Sequence, residues 1–209
     1  AMGICQTVLA ADLRLDLAEL VMQALSQYTH ILADEDAAEE VFVRIMDFFD
    51  ARVRGILGDE GHRYDVVDCA TGVAYVYIQD VIERAKAVSG LRGQAGFQSL
   101  LAGFTRANNL VKKNEGARID PSRFSEEAEM ALHARILATQ NAIAGVIEEE
   151  GMPGAIRALA NLAGPVNDFF DAVMVMAEDP DVQASRLGLL QAVVDLTRLA
   201  GDLSKLQEG

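Results

Sequence analysis

The stretch FFDAVMVMAEDPDVQASRLGLLQAV, Phe169 to Val193, decides the fold. Phe169 and Phe170 open an apolar face that Val173, Met174 and Met176 continue at helical spacing. An acidic turn follows, in which Asp179 precedes Pro180. A carboxylate able to accept from the first free amides, followed by a proline whose fixed φ suits the first helical position, is a helix-start signal. Leu187, Leu189, Leu190, Val193 and Val194 then supply the next apolar face. The pattern predicts a helix–turn–helix hairpin in which Phe169, Phe170, Met174, Leu187 and Leu190 are buried along one seam.

The same helical period runs outward to both ends. Residues 3–11 predict a short apolar helix. Asp16 with Glu19 predicts a cap for a second helix, and Asp36 with Glu39 opens a third that runs to about Leu57. Gly58 to Arg63 reads as a turn, Asp65 as the start of a short helix, and Val73 to Val88 as a longer one. Gly90, Gly93 and Gly96 mark a loosened connection. Residues 97–113 predict a helix and Asn114 to Phe124 a polar loop. Ser125 then opens a long helix to about Glu150, where three glutamates oppose the helix dipole. Gly151, Pro153 and Gly154 form a break, and helices over 155–163, 166–177 and 181–206 complete the chain. No stretch alternates convincingly as a strand. The reading is an all-α multi-helix bundle. Residues 1–90 form an N-terminal helical part and residues 91–209 a C-terminal part carrying the hairpin, joined as one continuous helical unit.

The 209 residues are 51% hydrophobic and 24% charged, a composition that can bury a core and is not that of a disordered chain. No apolar run approaches the roughly 20 residues of a membrane span, and no basic stretch followed by an apolar block suggests a signal peptide. The expectation is a cytoplasmic protein with no membrane partner. Cys5 and Cys69 are distant and form no CxxC pair, which fits structural thiols in a reducing compartment.

Catalytic and metal motifs are missing from the sequence. His30, His62 and His133 are isolated, no HExxH occurs, and neither GxxxxGK nor GxGxxG is present. Acidic runs such as Asp34–Asp36 and Glu148–Glu150 read as solvated faces. No catalytic or metal-ligating residue and no bound cofactor is expected in this chain. It reads as a binding or scaffolding module.

Charge adds one positive indication. The net charge of −14 argues against nucleic acid as a partner of the whole surface. Residues 84–123 nevertheless carry Arg84, Lys86, Arg92, Arg106, Lys112, Lys113, Arg118 and Arg123 against Glu115 and Asp120, a local balance of +6. Such a segment on an acidic body is what a phosphate-binding patch looks like, or else a solvated helical face. Arg106 and Asn109 are one helical turn apart and share a face that Lys113 extends. Arg106 can meet a phosphate or stack on a base, Asn109 offers donor and acceptor to a base edge, and Lys112 and Lys113 can follow a backbone. On the opposing reading Asn109 caps a neighbouring helix and Arg106 pairs with a carboxylate at the core edge.

The hairpin resembles the C-terminal signature of the beta subunit of bacterial tetrameric glycine–tRNA ligases. Phe169, Phe170, Asp171, Val173 to Met176, Asp179, Arg186, Leu187, Leu189 and Leu190 carry the likeness, while Gln183 and Ser185 replace the family's arginine and asparagine. Asp16, Leu17, Glu19 and Leu20 resemble a second family segment. Arg52, Arg54, Gly61, Asp65, Val66 and Asp68 resemble a third. FTRANNLVKK is similar to a fourth through Arg106, Asn109 and Leu110, with Thr105 in place of a lysine and Ala107 in place of a valine.

The resemblance implies the C-terminal fragment of a longer subunit, with the helical anticodon-binding fold shared with arginine-type aminoacyl-tRNA synthetases. It further implies that the partners are glycine tRNA and a catalytic alpha subunit in an alpha2-beta2 tetramer. ATP and magnesium would be used by that alpha subunit. Under this resemblance tRNA contact falls to Arg106, Asn109, Lys112 and Lys113, with Arg52 and Arg54 as a second basic set. The alternative is a helical protein-interaction or regulatory module with no nucleic-acid role.

Overall fold

The computed structural model describes residues 1–28, 35–114 and 116–207. His30, Asp34 and Glu115 of the sequence reading lie outside them. The described residues form nine α-helices and no strand: α1 Met2–Ala10, α2 Leu17–Ser26, α3 Glu35–Asp59, α4 Tyr64–Thr71, α5 Ile78–Leu91, α6 Ala95–Val111, α7 Glu127–Leu159, α8 Ala163–Ala172 and α9 Pro180–Thr197. Four short 3-10 turns accompany them, the last two at Arg198–Ala200 and Leu203–Lys205.

The helix starts follow from local chemistry. Asp16 accepts from the Glu19 amide at 2.9 Å and caps α2. Asp179 accepts from the Asp181 and Val182 amides, with Pro180 at the first helical position of α9. The cap of α7 is Glu126 rather than Ser125, in a reciprocal capping box with Glu129. Asp36 lies inside α3 instead of ahead of it. α4 begins at Tyr64, which places Asp65 in its first turn and not at its cap. The expected break at Gly151 is a kink: its φ of 68° and ψ of −171° leave the helical region, a conformation that glycine reaches without steric cost.

Three expected helices are shorter than their periodicity suggested. Residues 73–77 are irregular, and α5 starts only at Ile78. α9 stops at Thr197, because the chain turns through Gly201 and doubles back over α4. α8 stops at Ala172, where Val173 adopts an extended conformation. From there the side chains alternate: Val173 and Val175 are buried, whereas Met174 is 77% exposed and Met176 is also exposed. Period two replaces period 3.6, which turns the methionines outward. Met174 is therefore not part of the seam. Phe169, Leu187 and Leu190 are fully buried there, and Phe170 is half-buried at its edge. The connection after α5 is also tighter than the three glycines implied, since α6 already begins at Ala95.

The core gathers where α5, α6, α7, α8 and α9 meet, with α7 against α5, α8 and α9, and α6 against α8 and α9. α3 leans on α1, α2, α4 and α5. Two buried carboxylates tie this arrangement together. Glu129 is completely covered and accepts from Arg186 Nε at 2.8 Å and from the Ser125 and Glu126 amides at 2.8 Å each. Arg186 reaches on to the Met174 carbonyl at 2.9 Å. Asp65, equally covered, accepts from Arg92 at 2.5 Å and from the Gln207 amide at 3.1 Å.

Burial by itself would raise both carboxyl pKa values. The hydrogen bonds and positive charges around them outweigh it and hold both below the ordinary range.

Two predictions follow from this packing. Phe169→Ala is expected to destabilise by about 3–5 kcal/mol and Met174→Ala by less than about 0.5 kcal/mol, as read from urea melts; equal losses would contradict the alternation. The second concerns pH. A carboxyl group whose pKa is depressed on folding contributes stability above its unfolded value, and that contribution is withdrawn as pH falls towards the folded value. Stability is therefore expected to be flat above roughly pH 5 and to drop below about pH 4, the ordinary carboxyl range. Glu129→Gln should lower stability at neutral pH and flatten the acid limb.

Candidate nucleic-acid interface

α6 carries the residues that the sequence singled out. Phe97, Leu100, Leu101, Phe104 and Ala107 point into the core and fix its rotation. Gly103 brings the helix close to α8, since a Cβ there would lie 2.9 Å from a methyl of Val166. What remains outward is Thr105, Arg106, Asn109, Lys112 and Lys113, all exposed.

Arg106 pairs with no carboxylate among the described residues. Its guanidinium carbon sits 4.1 Å from the centre of the Phe170 ring. Phe170 in turn meets Phe169 edge-on, with ring centres 5.9 Å apart. A guanidinium laid over a ring is held by the ring quadrupole and keeps its second face and its N–H edges free. Among the described residues Asn109 caps no neighbouring helix and its side chain makes no hydrogen bond. Lys112 and Lys113 have no ion pair among them either. The four residues do not form one uniform face. Arg106 leans towards α8, while Asn109 and Lys112 line a groove beside Leu203, Ser204 and Leu206.

The rest of the +6 segment is engaged elsewhere. Arg84 is buried and donates to the carbonyls of Leu199 at 2.9 Å and Ala70 at 2.8 Å, tying the last turn of α4 to the 3-10 turn at Arg198–Ala200. Burial lowers its pKa. Arg92 serves Asp65, and Lys86 faces Glu60 at 3.6 Å. Arg118 and Arg123 both reach Asp181, at 2.7 and 3.2 Å. Within residues 84–123, Arg106, Lys112 and Lys113 are the cations left without a carboxylate among the described residues.

The second basic set lies on α3. Arg52 stacks on Phe48 with its guanidinium carbon 4.3 Å from the ring centre. Arg54 is clamped by Asp50 and Asp68 at 2.6 Å each, so its charge is already matched. Arg63 faces Asp65 at 3.3 Å.

Sequence reasoning passed over Asn108. It is 8% exposed, yet it lies on the groove side of α6, in phase with Leu101 and Phe104. An amide at an apolar phase of a helix was the available signal. The reading also passed over the C-terminal wall of the groove at 201–206, because a helix was expected there.

Neither thiol resembles a nucleophile. Cys69 is fully buried, donates to the Ala200 carbonyl at 3.5 Å and has its pKa pushed up to about 12 by burial. Among the described residues, no group of three His, Cys, Asp or Glu side chains is placed to hold a metal ion. No described helix is long and apolar enough to cross a membrane.

Comparison with known proteins bears on this geometry. Residues 100–204 match the family model described as the DALR anticodon binding domain, a span that includes the outward face of α6 and the first part of the C-terminal wall. Over 98% of its length the chain is 37% identical to the glycine–tRNA ligase beta subunit of Desulforudis audaxviator. It is 32% identical to the same subunit of Desulforamulus reducens over 99% of its length, and 32% identical to that of Photobacterium profundum over its whole length. It spans about 30% of the length of each of these curated relatives.

Proposed function

The chain belongs to the DALR anticodon binding domain family, and from that premise we propose that it binds the anticodon stem-loop of glycine tRNA as part of a glycine–tRNA ligase beta subunit. In the whole ligase it would support ATP-dependent attachment of glycine in the cytoplasm. The chemistry, with ATP and magnesium, would fall to a catalytic alpha subunit of an alpha2-beta2 tetramer, and this segment would need no cofactor of its own.

The observation that carries the reading is the Arg106 guanidinium laid on Phe170, beside Asn109, Lys112 and Lys113 and unmatched by any carboxylate among the described residues. Bases in an unpaired loop can be splayed out and stacked on aromatic rings or guanidinium planes. Arg106 on Phe170 is such a platform, the two lysines neutralise the backbone, and the Asn109 amide meets a base edge. The acidic remainder of a chain with net charge −14 repels RNA elsewhere and confines contact to α6.

A protein-interaction role is favoured by a different observation. Met22, Leu25 and Phe42 line an apolar groove between α2 and α3, far from the basic face in the chain. The two readings separate by salt. Titration of the chain with glycine tRNA and with an unrelated tRNA should show affinity falling steeply with salt, because phosphate contacts release counterions. Lys113→Ala should flatten the salt slope by about one unit. Arg106→Ala should weaken binding, and Asn109→Ala should reduce discrimination between the two tRNAs. Absence of tRNA binding at every salt concentration would leave the protein-interaction module standing alone.

A further inference from the structure

The amide of Asn108 has a task that the packing does not explain. Asn108 is 8% exposed, and its side chain makes no hydrogen bond with any described residue. A buried amide left unpaired costs free energy, so such groups in folded proteins ordinarily have a partner. The only described buried side-chain polar atom sealed from solvent without a partner is Gln79 Oε1. The Asn108 amide is therefore not sealed in. It opens onto two adjoining cavities of about 250 and 310 Å³, which share Phe104, Asn108 and Lys112.

The walls of these cavities have a definite chemistry. Phe104 is apolar, and Lys112 is a cation with no carboxylate partner among the described residues. Arg198 and Asp202 line the second cavity. Asp202 spends one carboxylate oxygen on the Ser204 amide and hydroxyl, at 3.1 and 2.6 Å, and its other oxygen has no partner among the described residues. The site thus presents an amide with donor and acceptor, a carboxylate that only accepts, an apolar floor and a neighbouring positive charge.

We propose that this cavity pair receives one unpaired nucleobase bearing an exocyclic amino group, with Asn108 and Asp202 reading its edge and Lys112 meeting the adjoining phosphate. Cytosine presents an amino donor beside a ring-nitrogen acceptor. The Asn108 amide can answer both, and the Asp202 carboxylate can take the second amino proton. Uracil presents a carbonyl where cytosine has the amino group. The amide can turn to meet it, but the carboxylate cannot donate and repels it. Discrimination therefore comes from Asp202, and only for a base that Asn108 holds deep enough in the cavity to reach it. This inference rests on the anticodon-binding reading and assigns to it a base-specific subsite.

The test uses two RNA stem-loops of identical stem, one with cytosines and one with uracils at the unpaired anticodon positions. Each is titrated against the 209-residue chain by fluorescence anisotropy. The unsubstituted protein is expected to prefer the cytosine loop by roughly tenfold or more, the range of one good two-point base contact. Asn108→Ala and the near-isosteric Asn108→Asp should each weaken binding of the cytosine loop and bring that ratio towards one. Asp202→Asn, which keeps an oxygen for Ser204, should instead strengthen binding of the uracil loop, a gain that misfolding cannot imitate. If the unsubstituted chain binds both loops and none of the three variants changes the ratio, the subsite is overturned while the anticodon reading stands. If the unsubstituted chain binds neither loop at low salt, the anticodon reading falls and this inference with it.

Discussion

The buried pair of Glu129 and Arg186 is the constraint on which the hairpin depends. Two charges taken out of water are tolerated only when each remaining hydrogen-bonding position is also filled. Here they are filled by backbone and by the Ser125 hydroxyl, which accepts from Arg186 at 3.3 Å. Glu129 accepts from the Ser125 and Glu126 amides, which are orphan donors at the start of α7. Arg186 donates onward to the Met174 carbonyl, inside the extended segment between α8 and α9. One pair thus fixes the beginning of a helix, the middle of a connector and the body of α9. That connector begins right after Phe170, the ring that carries Arg106. The ring beneath the exposed cation thus lies next to a segment that a buried ion pair holds in place.

A second buried carboxylate uses the same device. Arg92 joins Asp65 to the Gln207 carbonyl, and the Gln207 amide returns to Asp65. Arg84 ties the carbonyl of Ala70, near the end of α4, to that of Leu199. The Cys69 carbonyl accepts from the Asp202 amide at 2.9 Å. These contacts hold residues 198–207 against α4 and α5 and so place the wall that faces Asn108 and Lys112. Arginines counted as a basic segment in the sequence are in part the fasteners of this wall.

That is why the sequence showed the helices better than the site. Caps at Asp16 and Asp179 and the kink at Gly151 are local events, decided by neighbours in the chain, and they could be read directly. The stretch Val173 to Met176 could not. Its apolar content suits a helix and a buried extended segment equally, and Arg186, far along the chain, decides between them by binding the Met174 carbonyl. Charge counting failed for a related reason. The sum over residues 84–123 records how many cations there are, but not which ones meet Asp65, Glu60 or Asp181 in space. Asn108 escapes such a reading because a single amide on the inner phase of a helix does not stand out from the apolar residues around it.

The outcome is a division of labour along one helix. The inner residues of α6 are apolar and pack tightly enough that Gly103 has no room for a methyl group against Val166. Its outer residues keep their charge and hydrogen-bonding capacity because, among the described residues, no carboxylate reaches them. A cation that is already paired must lose that pairing before it can meet a phosphate, and the loss offsets most of what the new contact gains. Arg54, held by two carboxylates, is in that position, whereas Arg106 is not. The ring beneath Arg106 orders the guanidinium without neutralising it, so the side-chain entropy of an arginine is largely spent on folding and little is left to lose on binding. A stacked, unmatched arginine is therefore a better docking point than any count of basic residues suggests.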